Sequence, residues 1–558
     1  MNIALAQREK LQDLILKAID EAVAAGDLAP YEVPEFVLET PKDPKHGDFA
    51  SNVALASAKA ARRAPREVAE ILVKYIPVGE FIAKVEVAGP GFINFFLSRA
   101  WLGDILRAVE QQGENYGSSN YGQGEKVLLE FVSANPVGPL NVVNARAAAV
   151  GDTLARLFRA CGYDVGTEFY VNDAGNQADV FARSLIARCH QLVDPSYPFP
   201  EEGYPGEYVI DLAKQLLQER PDFLDLPDAE QFVFCKRWGT DQMVDWQAQD
   251  LREYGVEFDL WFRERDLHAR GELESIIALF REKGYLYEKD GALWFRSTAF
   301  GDDKDRVLVK SDGSYTYVTA DIAYHYDKLK RGYTKLIDIL GPDHHGYIGR
   351  MKAAVQALGY SADTLEVLIL QYVALLRDGK PVKMSKRAGE FITMRDLVDE
   401  VGADAARFFF LMRSLESHLD FDMNLAVEQS SENPVFYVQY AHARICSILR
   451  QAAEAGVAVP TTADVDLGLL SEESEINLIK KLGELPEEIL QAATHREPHR
   501  IARYALDLAS IFHSFYTHCH VLGEEPPLRD ARLVLVKCVL AVLRRALHLL
   551  GVSAPEQM

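Results

Sequence analysis

The run KVLLEFV at 126–132 is almost continuously apolar, with Glu130 set inside it. Such a run predicts a parallel strand covered on both faces. After it Val150, Leu154, Leu157, Phe158 and Cys161 recur at helical spacing, and Gly162 can end that helix. VGTEFYV is the next predicted strand. From Ala178 to about 284 the pattern is mostly helical, which predicts an insertion. Strand patterns resume at GALWFRS, RVLVKSDGSYTYVT and KLIDILG, and from about Asn433 onward everything reads as helix. Before this region, residues 1–105 alternate helical patterns such as REVAEILVKYI with strands such as KVEVAGPGFINFFLS. The polar segment QQGENYGSSNYGQGEK reads as a linker. No internal repeat is present.

A chain of 558 residues exceeds one core, so three or four domains are expected. Acidic residues outnumber basic ones, 83 to 60, for a net charge of -23. Overall charge therefore gives no general affinity for nucleic acid, and any RNA contact must be local. The six cysteines are scattered with no CxxC pair, which argues against a zinc site or a disulfide framework. The N-terminus reads as an amphipathic helix rather than a signal peptide. The late apolar run ARLVLVKCVLAVLRRALHLL carries Lys537, Arg544 and Arg545, and is not a membrane span.

Two stretches carry chemistry. GPLNVVNARAAAVGD, Gly138–Asp152, follows the first buried strand and opens a helix, where a mononucleotide fold places phosphates. GKPVKMSKRAGEFITM, Gly379–Met394, sets Lys383, Lys386 and Arg387 in a loop with Gly and Ser. Loop lysines can neutralise charge that develops on phosphate oxygens. A solvated basic turn is the alternative. GPDHHGY places His344 and His345 just beyond the predicted strand LIDIL, where open α/β sheets bind ligands. Tyr317 and Asp321 lie four apart and share a helix face. Asp321 as a helix cap and Glu130 as a surface charge are the plain readings. A Glu inside VLLEFV fits the second poorly, because an unpaired buried carboxylate is costly.

The string KMSKR, paired with the strand–turn–helix upstream, resembles the class I aminoacyl-tRNA synthetases. EFVSANPVGPL, YVNDAGNQ, GPDHHGYIGRMKAA, ENPVFYVQYAHARI and the terminal GVSAPEQM are similar, in order, to bacterial-type arginyl-tRNA synthetases. The resemblance implies an α/β Rossmann-like catalytic core with an insertion, a small N-terminal α/β domain and an all-α C-terminal anticodon-binding domain. Expected boundaries are 1–105 for a tRNA-contacting domain, 106–385 for the catalytic domain with its insertion at about 178–284, 386–430 for a connecting region and 431–558 for the helical domain. It implies ATP-dependent activation of L-arginine and transfer to tRNA(Arg), with Mg2+ carried by ATP, no protein-held metal, no DNA and no membrane. A cytoplasmic monomer is expected.

The resemblance also assigns residues. Lys383 and Lys386 are catalytic. Asn141, Asn144, His344, His345, Met384 and Ser385 contact ATP. Glu130, Tyr317 and Asp321 hold the arginine side chain, and Asn135 its α-amino and carboxylate ends. In the last helix Lys537, Arg544 and His548 lie seven and four residues apart on one face, with Arg545 beside them; Lys537, Arg544 and Arg545 are candidate tRNA contacts, and a solvated helix face is the alternative. The family's signature spans Ala134–Asn144, here ANPVGPLNVVN. Asn141 and Asn144 stand where histidines are expected, and Val143 where glycine is expected. This departure opens a second reading, a catalytically silent regulator that binds arginine or tRNA. A third reading, another amino acid as substrate, is weakened by the pocket carboxylates.

Overall fold

The computed structural model describes residues 3–41, 43–382 and 392–558. In the N-terminal unit α1 (Ile3–Ala24), α2 (Val53–Ala61) and α3 (Pro65–Tyr75) accompany β1 (Leu38–Glu39), β2 (Phe49–Ser51), β3 (Ile82–Ala88) and β4 (Phe92–Leu97). These strands form an antiparallel sheet of order β1-β2-β4-β3. The boundary expected at 105 falls inside α4 (Ala100–Gln112), which buries Trp101, Leu102, Ile105, Leu106 and Val109. That apolar face packs on the C-terminal helices Glu473–Thr494 and Pro526–Leu550, so α4 is continuous with the C-terminal core.

The catalytic unit begins with β5 (Lys126–Glu130), α5 (Val142–Ala160) and β6 (Asp164–Val171). The helices α6 (Asn176–Gln191), α7 (Glu207–Glu219) and α8 (Asp228–Glu253) bury a core of their own around Phe181, Leu185, Leu216 and Met243. β7 (Leu260–Arg263) then returns to the main sheet, inside the stretch expected to be inserted, and is followed by α9 (Glu264–Ala269) and α10 (Glu272–Glu282). β8 (Leu286–Lys289), β9 (Ala292–Phe295) and β10 (Arg306–Val309) form a separate antiparallel sheet. α11 (Tyr317–Lys330), β11 (Lys335–Leu340), α12 (His345–Ala357) and β12 (Leu365–Ile369) complete the core. Its five parallel strands have the order β12-β11-β5-β6-β7.

The connecting region holds β13 (Val373–Arg377), β14 (Lys380–Pro381), α13 (Met394–Val401), α14 (Ala403–Leu411), β15 (Leu419–Asp422) and α15 (Met423–Val427). The C-terminal unit is α16 (Pro434–Glu454), α17 (Glu473–Thr494), α18 (His499–His518) and α19 (Pro526–Leu550). Among the described residues no helix is long and apolar enough to cross a membrane.

Two contacts hold α5 where its N-terminus can serve a site. Gly151 lets the helix approach the Phe131 ring at the end of β5, since a Cβ there would strike that ring. Arg146 is fully buried and donates to the carbonyls of Gln371 (2.8 Å), Ser414 (2.9 Å) and Ser417 (3.1 Å). A buried guanidinium is tolerated because these carbonyls replace water.

Candidate active site

The strand order reverses direction between β5 and β11, so a crevice opens beyond their carboxyl ends. The chain leaves β5 through Val132 and Ser133, both with positive φ, 70° and 41°. A β-branched residue there is strained, and such strain persists only where neighbours hold it. Ser133 supplies the restraint. Its hydroxyl donates to Glu130 Oε1 at 2.8 Å and accepts the Tyr170 N–H at 3.1 Å.

Past this turn, Asn141 caps α5. Its Oδ1 accepts the N–H groups of Val143 (2.9 Å) and Asn144 (3.1 Å), and Asn144 Oδ1 accepts the Asn141 N–H at 3.0 Å. The two asparagines form a reciprocal capping box. This corrects the expectation that the helix's free N–H groups meet phosphate, because two of them already serve Asn141. What remains are the Nδ2 donors, neither of which is hydrogen-bonded among the described residues. Asn141 also bridges to Thr393, and the Met394 N–H donates to the Leu140 carbonyl at 2.8 Å. Lys383, Met384, Ser385 and Lys386 lie outside the described residues. The chain following them is thus paired beside the α5 N-terminus.

Asp338, Glu130 and Glu168 are register partners on the adjacent strands β11, β5 and β6, forming a row of three carboxylates in one sheet. All are buried. α11 lies over the row and neutralises it. Fully buried Lys328 donates to Glu130 at 2.5 Å and to Asp338 at 2.9 Å. Arg331 grips Glu168 through two bonds, 2.6 and 3.0 Å. His325 reaches Asp338 through Nε2 at 2.9 Å and the Asp321 carbonyl through Nδ1 at 2.8 Å. Glu130 is therefore not a surface charge but a buried, paired carboxylate. Its counter-ion comes from a distant helix, and its charge is taken.

One turn before His325 on α11, the Asp321 carboxylate has no hydrogen bond or ion pair among the described residues. Burial pushes its carboxyl up to about 7; His325 and Arg350 oppose that rise, and Glu264 and Glu130 add to it. Glu264, at the start of α9, is a second buried carboxylate, raised by burial and hydrogen-bonded by Tyr170. The Tyr170 and Tyr324 rings meet at 4.4 Å, forming an aromatic wall beside them. Tyr317 is 62% exposed at the first position of α11. Asn135 donates through Nδ2 to Gln177 at 2.8 Å. His344 and His345 are exposed where α12 begins.

Comparisons with known proteins agree along the whole chain. A model described as the arginyl tRNA synthetase N-terminal domain matches residues 9–97. One described as the catalytic domain of class I (R) tRNA synthetases matches 106–411, and the DALR anticodon binding domain matches 438–558. The arginine–tRNA ligase of Symbiobacterium thermophilum is 52% identical over 559 residues, covering 100% of both chains. That of Bacillus subtilis is 48% identical over 562 residues with the same coverage.

The chain belongs to the arginyl-tRNA synthetase family.

A solved structure of a putative arginyl-tRNA synthetase from Campylobacter jejuni matches this synthetase with a TM-score of 0.76 and 37% identity, covering 83% of this chain and 100% of that one. A Mycobacterium tuberculosis methionyl-tRNA synthetase shares the fold at a TM-score of 0.55 and 12% identity, covering 76% and 91% of the two chains.

The synthetase's last helix corrects one expectation. Lys537, Arg544 and Arg545 do not make an open basic face. Lys537 pairs with Glu110 of α4 at 3.1 Å, Arg544 with Glu556 at 3.5 Å, and Arg545 donates to the Ser118 hydroxyl at 3.0 Å. Arg545 and His548 line a recess of about 970 Å³ with Arg159 and Arg252, where the ends of α5, α8 and α19 meet. Arg159 and Arg252 stand in the last turns of α5 and α8, where a cation offsets the negative end of the helix.

Sequence reasoning missed Glu264, Tyr170, His325, Lys328, Asp338 and Arg350. One signal was available. A carboxylate in each of two apolar strands, VLLEFV and LIDIL, requires a buried cation, and YHYDKLK supplies one.

Proposed function

We propose that this synthetase activates L-arginine with ATP and transfers it to tRNA(Arg), at the crevice between β5 and β11. The observation that carries the reading is Asp321. It is a carboxylate held among buried acids and aromatic rings, with no cation paired to it among the described residues, while every neighbouring acid in the sheet row has one. A guanidinium offers the fork of donors such a site needs. Glu264 and Tyr317 complete the side-chain pocket, Glu130 is its fixed wall, and Asn135 Oδ1 is left to accept from the α-ammonium group. ATP lies across Asn141, Asn144, His344 and His345, with Mg2+ entering on its phosphates. Lys383, Lys386, Met384 and Ser385 act from the loop that precedes Thr393. Free, scattered cysteines suit a reducing cytoplasm, and the chain is taken to work as a monomer. The test is ATP–pyrophosphate exchange with each amino acid, with and without tRNA. Exchange confined to arginine is expected. No exchange under any condition would favour the silent regulator, which no observation here supports.

Asn141→Asp separates the two roles of the capping box. Aspartate caps a helix as well as asparagine does, so stability should change by only a few tenths of a kcal/mol. It removes the Nδ2 donor and places a negative charge toward ATP, so kcat/KM for ATP should fall about a hundredfold. Asn141→Ala should lose both, with roughly 0.5 to 2 kcal/mol of stability. If Asn141→Asp charges tRNA normally, the asparagine is only a cap.

For RNA, the helical domain offers an aromatic platform in place of the expected basic face. Tyr440 and Tyr516 are 37% and 39% exposed. The Arg444 guanidinium lies 4.7 Å from the Tyr440 ring centroid and 5.0 Å from that of Tyr516, and Phe436 stacks with Tyr440 at 6.1 Å. Unpaired bases stack on such surfaces for about 1 to 3 kcal/mol each. Tyr440→Ala should raise the KM for tRNA about tenfold and leave that for arginine unchanged. Equal KM values for tRNA in both proteins would remove the platform from the RNA-binding surface.

A further inference from the structure

Arg350 is a cation that none of the roles above uses. It lies in the second turn of α12, half-buried, six residues after His344. Its guanidinium sits 5.3 Å from the centroid of the Tyr347 ring. It has no ion pair or hydrogen bond among the described residues, and its Nε is buried without an acceptor. One nitrogen of the guanidinium is thus withdrawn from water with no acceptor, which is costly, while its other two nitrogens stay accessible to a ligand.

Its position lies between the two halves of the site. The Tyr347 ring beneath it meets the His344 ring at 6.2 Å on the ATP side and the His325 ring at 6.3 Å on the arginine side. Arg350 also acts electrostatically on Asp321, the acid at the heart of the arginine pocket. Other polar groups nearby are engaged: Lys328 holds Glu130 and Asp338, Arg331 holds Glu168, and both ring nitrogens of His325 have hydrogen-bond partners.

The chemistry creates a need at this point. In adenylate formation a carboxylate oxygen of arginine attacks the α-phosphorus of ATP. The new O–P bond forms as the bond from the α-phosphorus to the α,β-bridging oxygen breaks, and pyrophosphate leaves with that electron pair. Two anionic groups must approach within bonding distance, so a fixed positive charge beside them is worth more in the transition state than in either bound ground state.

We propose that Arg350 is a catalytic residue of this reaction, placed to bridge the arginine carboxylate and the α-phosphate as they join. This rests on the arginine pocket proposed above. The expected result for Arg350→Met is a kcat for arginine-dependent pyrophosphate exchange about a hundredfold lower, with the dissociation constant for arginine within about threefold of wild type. Arg350→Lys should recover part of kcat, since it keeps the charge but not the fork. Because Arg350 makes no hydrogen bond among the described residues, the methionine variant should keep the wild-type thermal midpoint, and Arg350→Gln serves as a second neutral variant should methionine misfold. Asp321→Asn is the control. If it binds arginine normally, the pocket reading fails. If it loses arginine while both neutral Arg350 variants keep wild-type kcat, the pocket stands and the role of Arg350 is overturned. A raised arginine dissociation constant with unchanged kcat also overturns it.

Discussion

Lys328→Met is expected to unfold much of the catalytic unit at temperatures where the wild type is stable. The substitution keeps the volume of the side chain and removes the charge that Glu130 and Asp338 share, at 2.5 and 2.9 Å. Breaking one partner of a buried ion pair typically costs about 3 to 5 kcal/mol. That is a large part of the roughly 5 to 15 kcal/mol that holds a domain together. Urea denaturation of the two proteins measures it. The triple variant Lys328→Met, Glu130→Gln, Asp338→Asn should recover most of the loss, because neutral amides can bond one another without a buried charge. The pH dependence has a definite sign. Burial alone would raise the Asp338 carboxyl, but Lys328 and His325 overcome it and hold it well below the usual carboxylate range. A depressed carboxyl adds stability above its unfolded pKa, and that stability is lost as pH falls through the folded value. The wild type should therefore lose stability in acid more steeply than the triple variant. A single variant within about 1 kcal/mol of wild type would show that the carboxylates find another partner.

Asp321→Ala should weaken arginine binding about a hundredfold or more, because the guanidinium would enter a desolvated pocket short of its counter-ion. An arginine dissociation constant changed less than about threefold would show that the pocket is elsewhere. Asp321 also predicts a pH profile. Its carboxyl, raised by burial to about 7, must ionise to pair with arginine. Arginine binding should then be about tenfold weaker at pH 6 than at pH 8, and the dependence should vanish in Asp321→Asn. Without arginine the raised carboxyl acts oppositely on the fold. The native state holds a proton that the unfolded chain has released between the ordinary carboxylate range and about 7, so stability declines as pH rises through that window. Bound arginine removes the decline, and thermal midpoints with and without arginine measure both effects.

The elements around the site were legible to different degrees. β5, α5 and β11 were readable because their apolar periodicities are local properties of the chain. The reciprocal cap of Asn141 and Asn144 was half readable. Asparagine favours that position, but that both side chains would turn back onto the backbone depends on how the turn at 132–133 delivers the chain. β7 was hidden inside a helical stretch because a four-residue edge strand has too short a period to stand out. The boundary expected at 105 cut through α4 because its apolar face reads the same whichever core it meets.

Most strands and helices, their apolar faces and the motifs that mark the family are local features, each written within a few consecutive turns or strands of the chain. Which charges are spent and which are free follows from packing between segments far apart in the chain. Glu130, Asp338 and Glu168 lie far apart in the chain, yet parallel pairing sets them side by side, and α11 crosses them with Lys328 and Arg331. Among the described residues the same docking leaves Asp321 without a paired cation, while α12 leaves Arg350 without a paired anion. A charge acts over a few ångströms of low-dielectric space, and the neighbours within that range are set by packing between distant segments.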